Sequence, residues 1–131
     1  MIVVLDTHVW LWWMIQPTRL SSAARRAIEV ADLRLIAAIS CWEVALLVDR
    51  GRVVLQPAGT TSDFVQTSLT YSNTQFADLT PQIAIRAAQL GPGFHKDPAD
   101  RLIAATAMEF NVPLVTRDER MRAFAPLQTT W

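Results

Sequence analysis

The sequence predicts an α/β fold built on a mainly parallel sheet. Short β-branched runs alternate with longer segments of helical pattern along the whole chain. The first run, Ile2–Leu5, is continuously apolar, as expected for a central strand that is covered on both faces. The chain has 131 residues, 51% of them hydrophobic, and shows no repeat or long linker. We therefore expect one domain that spans residues 1–131.

In the first half of the chain, helices follow the first two predicted strands. Residues 8–14 form the first predicted helix, and a pair of serines is expected to cap a second helix over residues 21–31. Residues 34–39 have the pattern of a second strand. The helix predicted over residues 40–51 ends at a glycine, which commonly terminates helices.

In the second half, prolines mark two helix starts. Pro81 and Pro98 each stand at a first helical position, and these helices are predicted to end at Gly91 and Phe110. The other predicted segments are, in chain order, a helix over 61–71, a short strand over 76–79, a loop over 91–96, a strand over 112–116, a short helix over 118–124 and an edge strand over 127–130.

Net charge and cysteine content indicate the broad class of protein. Acidic and basic residues balance at 12 each, so overall charge does not predict a nucleic-acid binder. The single cysteine, Cys41, excludes a disulfide framework and fits a reducing compartment. Residues 1–8 lack the basic start of a signal peptide, and the apolar run 9–15 is too short to cross a bilayer. We expect a soluble cytoplasmic protein with no membrane partner.

Five carboxylates fall at equivalent places in the predicted fold. Asp6 ends the first strand, and Glu43 lies in the first turn of the helix after the second strand. Asp97 and Asp100 lie where the helix at Pro98 starts, and Asp118 follows the strand over 112–116. In a parallel α/β sheet, the carboxyl ends of strands and the amino ends of helices share one edge. We therefore expect these acids to converge.

Three of these positions also have a structural explanation. Residues 40–43 and 116–119 match the helix-capping pattern S/T-x-x-E, and residues 97–100 form an ordinary helix start. Taken singly, capping is the better explanation at each of the three. Asp6 resists it, because an aspartate at the end of an apolar strand is costly to bury. Glu43 is similarly isolated, since the residues after it leave almost no polar face.

A cluster of carboxylates favours a divalent cation. Neighbouring carboxylates repel one another, which raises their pKa values, and a bound cation offsets that repulsion. Magnesium prefers oxygen ligands and is completed by waters and substrate phosphates. Histidines and cysteines are too few for a zinc site, since the chain has His8, His95 and Cys41 only. The chemistry that fits is phosphodiester hydrolysis.

Together these motifs resemble a known family, the VapC-type PIN-domain toxins of bacterial toxin–antitoxin pairs. The match spans essentially the whole chain, in order. It is carried by Asp6-Thr7-His8 after an apolar strand, by Ser40-Cys41-Trp42-Glu43-Val44-Ala45, by Asp97-Pro98-Ala99-Asp100-Arg101 with the run Leu102-Ile103-Ala104-Ala105-Thr106-Ala107, and by Val115-Thr116-Arg117-Asp118.

The resemblance implies a PIN fold, in which three layers (α/β/α) enclose a central mainly parallel sheet, and a Mg²⁺- or Mn²⁺-dependent endoribonuclease. It also implies an RNA substrate, a cognate VapB-type antitoxin and a homodimer. Carried over, Asp6, Asp100 and Asp118 are metal ligands and Glu43 completes a catalytic quartet. Two residues support them: Thr116 helps to position Asp118, and Asp97 serves as helix cap or outer ligand.

On this hypothesis Glu43 orients or deprotonates the attacking water, while an arginine, Arg101 or Arg117, stabilises charge on the phosphate. A phosphoryl-transfer domain of the haloacid dehalogenase type is a second interpretation. It requires an acid two residues after Asp6, where this chain has His8. The third interpretation is a catalytically degenerate PIN-like module that binds RNA or protein. The intact set of acids argues against it.

The first predicted helix leaves one alternative open. Trp10, Trp12 and Trp13 lie within one short helix and cannot all face one direction. Either they pack between the sheet and neighbouring elements, or some form an exposed patch for the antitoxin or a second protomer. Nothing in the sequence places these rings near the acids.

Overall fold

A five-stranded sheet forms the centre of the molecule. The computed structural model describes residues 1–55 and 59–131. The strand order is β3-β2-β1-β4-β5, and every pair of neighbours is parallel, so the predicted mainly parallel sheet is confirmed. The strands are β1 (Ile2–Leu5), β2 (Leu33–Ala37), β3 (Thr74–Ala77), β4 (Leu114–Val115) and β5 (Thr129–Thr130).

Helices cover both faces of this sheet, which gives the three layers. They are α1 (Thr7–Ile15), a short 3-10 helix (Pro17–Arg19), α2 (Ser22–Val30), α3 (Ala38–Asp49), α4 (Thr61–Thr70), α5 (Pro81–Ala88), α6 (Pro98–Phe110) and α7 (Glu119–Arg122). Within the described residues, none of these helices is long and apolar enough to cross a membrane.

The alternation of side chains along β1 divides the core into two parts. Val3 and Leu5 point to one face and pack with residues of α1 and α2, whereas Val4 points to the other face and packs with α6. Trp10 is fully buried in the first part, and its indole N–H donates to Ser68 Oγ at 3.0 Å. A strand that is covered on both faces explains why its sequence is continuously apolar.

The tryptophans of α1 pack between the sheet and neighbouring elements, and they do not form an exposed patch. Trp10 and Trp12 are buried and Trp13 is half-buried, so this helix packs between the sheet and its neighbours. An exposed tryptophan lies elsewhere, at Trp42 in α3, where 55% of the residue is accessible.

The observed helix starts agree with some of the predicted caps and differ from others. Ser21 and Asp97 cap their helices as predicted, each with a side-chain oxygen that accepts a backbone N–H. The two predicted capping boxes are wrong. The helix α3 begins at Ala38, with Ala37 as a cap that offers no side-chain hydrogen bond, and α7 is capped by Asp118 and not by Thr116. As a consequence Glu43 lies one turn further along its helix than its sequence pattern predicts.

Arg101 has a structural function. Its guanidinium donates to four backbone carbonyls, those of Ala87, Gly91, Phe94 and His95, at distances from 2.8 to 3.2 Å. These bonds tie the loop over residues 91–96 to the start of α6. The interpretation of Arg101 as a phosphate-binding arginine is therefore wrong, because its guanidinium is bound to carbonyls of this loop and of α5, and Arg101 does not line the cleft described below.

Replacement of Arg101 by methionine is expected to destabilise the protein by about 2 to 4 kcal/mol, because several partly buried carbonyls lose a charged donor. The measurement is urea-induced unfolding followed by circular dichroism. Arg86→Met is the matched control: Arg86 forms an exposed ion pair with Glu109 at 2.9 Å, and its loss should cost less than about 0.5 kcal/mol. Equal effects of the two substitutions would contradict the structural role of Arg101.

Candidate active site

The strand order creates a cleft at the carboxyl edge of the sheet. The chain leaves β1 toward β2 on one side, whereas β4 and β5 continue the sheet on the other side. Such a switch point is where ligands bind in open α/β sheets. An open cleft of about 780 Å³ lies at this edge. Its lining consists of Asp6, Thr7, His8, Trp12, Arg19, Glu43, Asp97, Asp100, Arg117, Asp118, Glu119 and Arg120.

Asp6 is the deepest of the acids, with 7% of the residue accessible. Its Oδ2 accepts a hydrogen bond from Thr116 Oγ1 at 2.7 Å, and its Oδ1 accepts one from the backbone N–H of Thr7 at 2.8 Å. Burial raises the pKa of Asp6 to about 7, against these two bonds, and the charges of Asp100 and Glu43 add to the rise. The carboxyl is therefore held in place but is costly to ionise.

Glu43 reaches the cleft from the second turn of α3. Thr7 Oγ1 donates to Glu43 Oε1 at 2.5 Å and also lies 2.8 Å from the buried Ser40 Oγ. Burial raises the pKa of Glu43, and the negative charge of Asp100 adds to this. Thr7 holds this side chain and Ser40 contacts Thr7 in turn, but the sequence motifs that contain these two residues indicate no role for either beside the acids. The indication in the sequence is their position, since Thr7 directly follows Asp6 and Ser40 stands three residues before Glu43.

Asp97 and Asp100 enter from the start of α6 and differ in their roles. Asp97 Oδ1 accepts the backbone N–H of Asp100 at 2.9 Å, as expected of a helix cap. Asp100 instead places Oδ2 2.6 Å from Nε2 of His95. Burial raises the pKa of Asp100, and the hydrogen bond with His95 opposes the rise. Sequence reasoning gave His95 no role in the site.

Asp118 enters from the loop between β4 and α7. Partial burial alone would raise its pKa, but hydrogen bonds from the Arg120 guanidinium and from the backbone N–H groups of Met121 and Arg120 hold the pKa below its ordinary value. Thr116 Oγ1 accepts the Asp118 backbone N–H at 3.0 Å while it donates to Asp6. One hydroxyl thus connects the two acids.

The five predicted acids therefore line one cleft. The donor atoms of His95, Asp100 and Asp118 all lie within 4.8 Å of one another, a spacing that fits a metal ion. Oxygen atoms dominate the set, and that chemistry suits magnesium or manganese. Each carboxylate oxygen of Asp6 accepts one hydrogen bond and keeps a further lone pair that can face the cleft.

One wall of the cleft is aromatic and basic. The Trp12 ring lies there, although the sequence places none of the tryptophans near the acids. The guanidinium carbons of Arg19 and Arg117 lie 4.6 and 5.9 Å from the centre of this ring. The ring of His8 lies 5.8 Å from it. The sequence does not indicate this cluster of Trp12, Arg19 and Arg117, because Arg117 is distant along the chain from the other two residues.

Comparison with known proteins agrees with this architecture. The family model of the PIN domain matches residues 3–126. The chain is 44% identical over 121 residues to Ribonuclease VapC22 of Mycobacterium tuberculosis, an alignment that covers 92% of this chain and 90% of that relative.

Solved structures share the fold at lower sequence identity. VapBC2 from Rickettsia felis, bound to a DNA fragment from its promoter, gives a TM-score of 0.70 at 17% identity and covers 98% of this chain and 97% of that chain. FitAcB from Neisseria gonorrhoeae gives a TM-score of 0.61 at 23% identity, with 97% and 95% covered. Because the PIN model spans nearly the whole sequence and the mycobacterial relative matches over most of its length, this chain belongs to the PIN-domain family and is a homologue of the VapC ribonucleases.

Proposed function

We propose that the protein is a metal-dependent endoribonuclease and the toxin of a type II toxin–antitoxin pair. The observation that carries the proposal is the cleft in which Asp6, Glu43, Asp97, Asp100 and Asp118 converge at the carboxyl edge of the sheet. A protein without a cationic ligand gains nothing from a buried carboxylate beside other acids. The name of its mycobacterial relative, a ribonuclease, supports the same activity.

The donor set fits a divalent cation, Mg²⁺ or Mn²⁺. Asp100 and Asp118 would hold it, with His95 beside Asp100, and Asp6 would contribute from deeper in the same cleft. When bound, such an ion supplies a more acidic water and stabilises charge on the phosphate and on the leaving oxygen. The raised pKa values of Asp6 and Asp100 indicate where the cation is most needed, because their burial in metal-free protein opposes ionisation.

The chain's own residues orient the reacting groups. Glu43, held by the Thr7 hydroxyl, orients or deprotonates the water that attacks phosphorus. The bond between phosphorus and the leaving ribose oxygen then breaks, and that oxygen takes up a proton. Thr116 fixes Asp6 and Asp118 relative to one another, and Asp97 fixes the start of α6. Precise positioning of this kind contributes much of the rate in phosphodiester chemistry.

The proposed partners are a VapB-type antitoxin and a second copy of the chain. One solved structure of the same fold is a toxin–antitoxin complex from Klebsiella pneumoniae, with a TM-score of 0.64 at 18% identity. In addition, α3 is apolar over most of its surface and exposes Trp42 to 55%. An apolar helix with an exposed tryptophan is typical of a surface that a partner covers.

The first prediction concerns cleavage. The antitoxin-free protein should cut labelled RNA with Mg²⁺ or Mn²⁺ and not with a chelator. Asp6→Asn should slow cleavage at least about a hundredfold, because the site loses a buried ligand. Asp49→Asn, at the exposed end of α3, is the matched control and should cleave normally. Folded protein that leaves RNA intact with every metal would favour the alternative, a degenerate PIN-like module that binds RNA or protein.

The second prediction concerns stability without metal. Because the pKa of Asp6 is about 7 in the folded protein, against an ordinary value of 3.8, the unfolded chain loses this proton first as pH rises. The carboxyl therefore lowers stability progressively between those two values. At pH 8 in a chelator, Asp6→Asn should be more stable than the wild type by a few kcal/mol, and the difference should vanish near pH 4. Urea unfolding at both pH values tests this, and a less stable variant at pH 8 would contradict the electrostatic account.

The third prediction concerns His95. His95→Ala should raise the magnesium concentration needed for half-maximal cleavage by about 10- to 100-fold, because Asp100 loses the partner that orients it. His95→Gln keeps a hydrogen-bond donor and should recover part of this loss. The measurement is the magnesium concentration at half-maximal cleavage for each variant. Identical magnesium curves for His95→Ala and the wild type would show that His95 does not position Asp100.

A further inference from the structure

Two arginines are held against one tryptophan at the wall of the cleft. Arg19 comes from the end of the 3-10 helix and Arg117 from the loop after β4, and both are exposed. Their guanidinium carbons lie 4.6 and 5.9 Å from the centre of the Trp12 ring. Contact with an aromatic ring restricts a long side chain that would otherwise be mobile, so both charges are held beside the cleft.

Neither of these arginines is neutralised by a neighbour. Within residues 1–55 and 59–131, the ion pairs include neither Arg19 nor Arg117. The third arginine of the cleft behaves differently, because Arg120 donates to Asp118 at 3.1 Å and lies 3.7 Å from Asp100. Arg120 is thus paired with two acids of the cleft, whereas the guanidiniums of Arg19 and Arg117 have N–H donors that can bind a ligand.

The position of the pair relative to the acids suggests the ligand. Arg117 directly follows Thr116, whose hydroxyl donates to Asp6. The backbone of Arg117 therefore lies close to the deepest carboxyl, and both arginines line the same cleft as that acid. Acids outnumber arginines in the cleft, six to three, so a polyanion that enters it needs fixed positive charge along its path.

We propose that Trp12, Arg19 and Arg117 form a subsite for a backbone phosphate of RNA, next to the phosphate that is hydrolysed. This inference rests on the proposed ribonuclease function and names a substrate contact outside the carboxylates. Planar guanidiniums match phosphate oxygens in a bidentate manner. Trp12 is the platform and not a base-stacking residue, because only 9% of it is accessible and the two guanidiniums lie against its ring. The subsite binds the strand without reading its sequence.

The test compares RNA binding by variants that cannot cleave. In the Asp6→Asn background, with Mg²⁺, fluorescence anisotropy measures the Kd of a labelled single-stranded RNA. Arg19→Gln with Arg117→Gln should raise the Kd about tenfold or more. It should also reduce the slope of log Kd against log salt by about 0.7, the contribution of one phosphate contact on a single strand. The matched control is Arg50→Gln with Arg52→Gln, which removes the same charge from residues that do not line the cleft.

The outcomes separate this subsite from the proposed function. An unchanged Kd and salt slope in the cleft variant, or equal losses in the control, would overturn the subsite even if the wild type cleaves RNA. If the wild type does not cleave, an arginine-dependent Kd would still support the subsite while the nuclease proposal fails. Arg19→Lys with Arg117→Lys keeps the charge but loses the planar contact with Trp12, so it should bind with intermediate affinity. If the lysine variant binds RNA with the wild-type Kd, contact of the guanidiniums with Trp12 does not contribute to binding, and that role of Trp12 is overturned.

Discussion

The hydrogen bond between Thr116 and Asp6 is the contact on which the site depends. It joins the ends of β1 and β4, the two strands between which the chain reverses its order across the sheet. Thr116 is fully buried and also accepts the backbone N–H of Asp118, so one hydroxyl sets the spacing of two acids. The paired strands are rigid, so the side chains at their ends are held in fixed positions. A buried carboxyl that would destabilise an ordinary sheet is thereby kept in one orientation.

The sequence predicts the convergence of the acids because convergence follows from topology alone. Once Ile2–Leu5 is a buried parallel strand, every residue that follows a strand or opens a helix must lie at the same edge. The local start of α3 was not predictable in the same way. Its capping pattern points to Ser40, yet the helix begins at Ala38 without a side-chain cap. Burial of its apolar residues stabilises that start, and packing of this kind overrides local propensity.

Other features of the site depend on the direction in which individual side chains point, which the sequence pattern does not specify. Arg101 follows Asp100 directly and reads as a catalytic arginine, but its guanidinium turns away into the loop over residues 91–96. The same loop, held by Arg101, brings His95 to Asp100. For Trp12 the sequence left open whether the ring packs in the core or forms an exposed patch; the ring is buried, yet it also contacts two arginines of the cleft.

Helix capping and metal binding are alternative explanations of these acids in the sequence, but the geometry makes the two roles compatible. Asp118 caps α7 with Oδ1, while Oδ2 faces Arg120 and the cleft, and its pKa lies below the ordinary value. Asp6 has fewer donors and deeper burial, and its pKa is raised to about 7. On the proposed function the two acids would have different roles: Asp118, with its lowered pKa, would be ionised first and attract a cation, whereas a bound cation would favour ionisation of Asp6, whose pKa is raised. At Asp6, the ionised form that the proposed function needs destabilises the fold, because the carboxyl is buried. At Asp118, the hydrogen bonds that lower the pKa favour both the folded state and the ionised form.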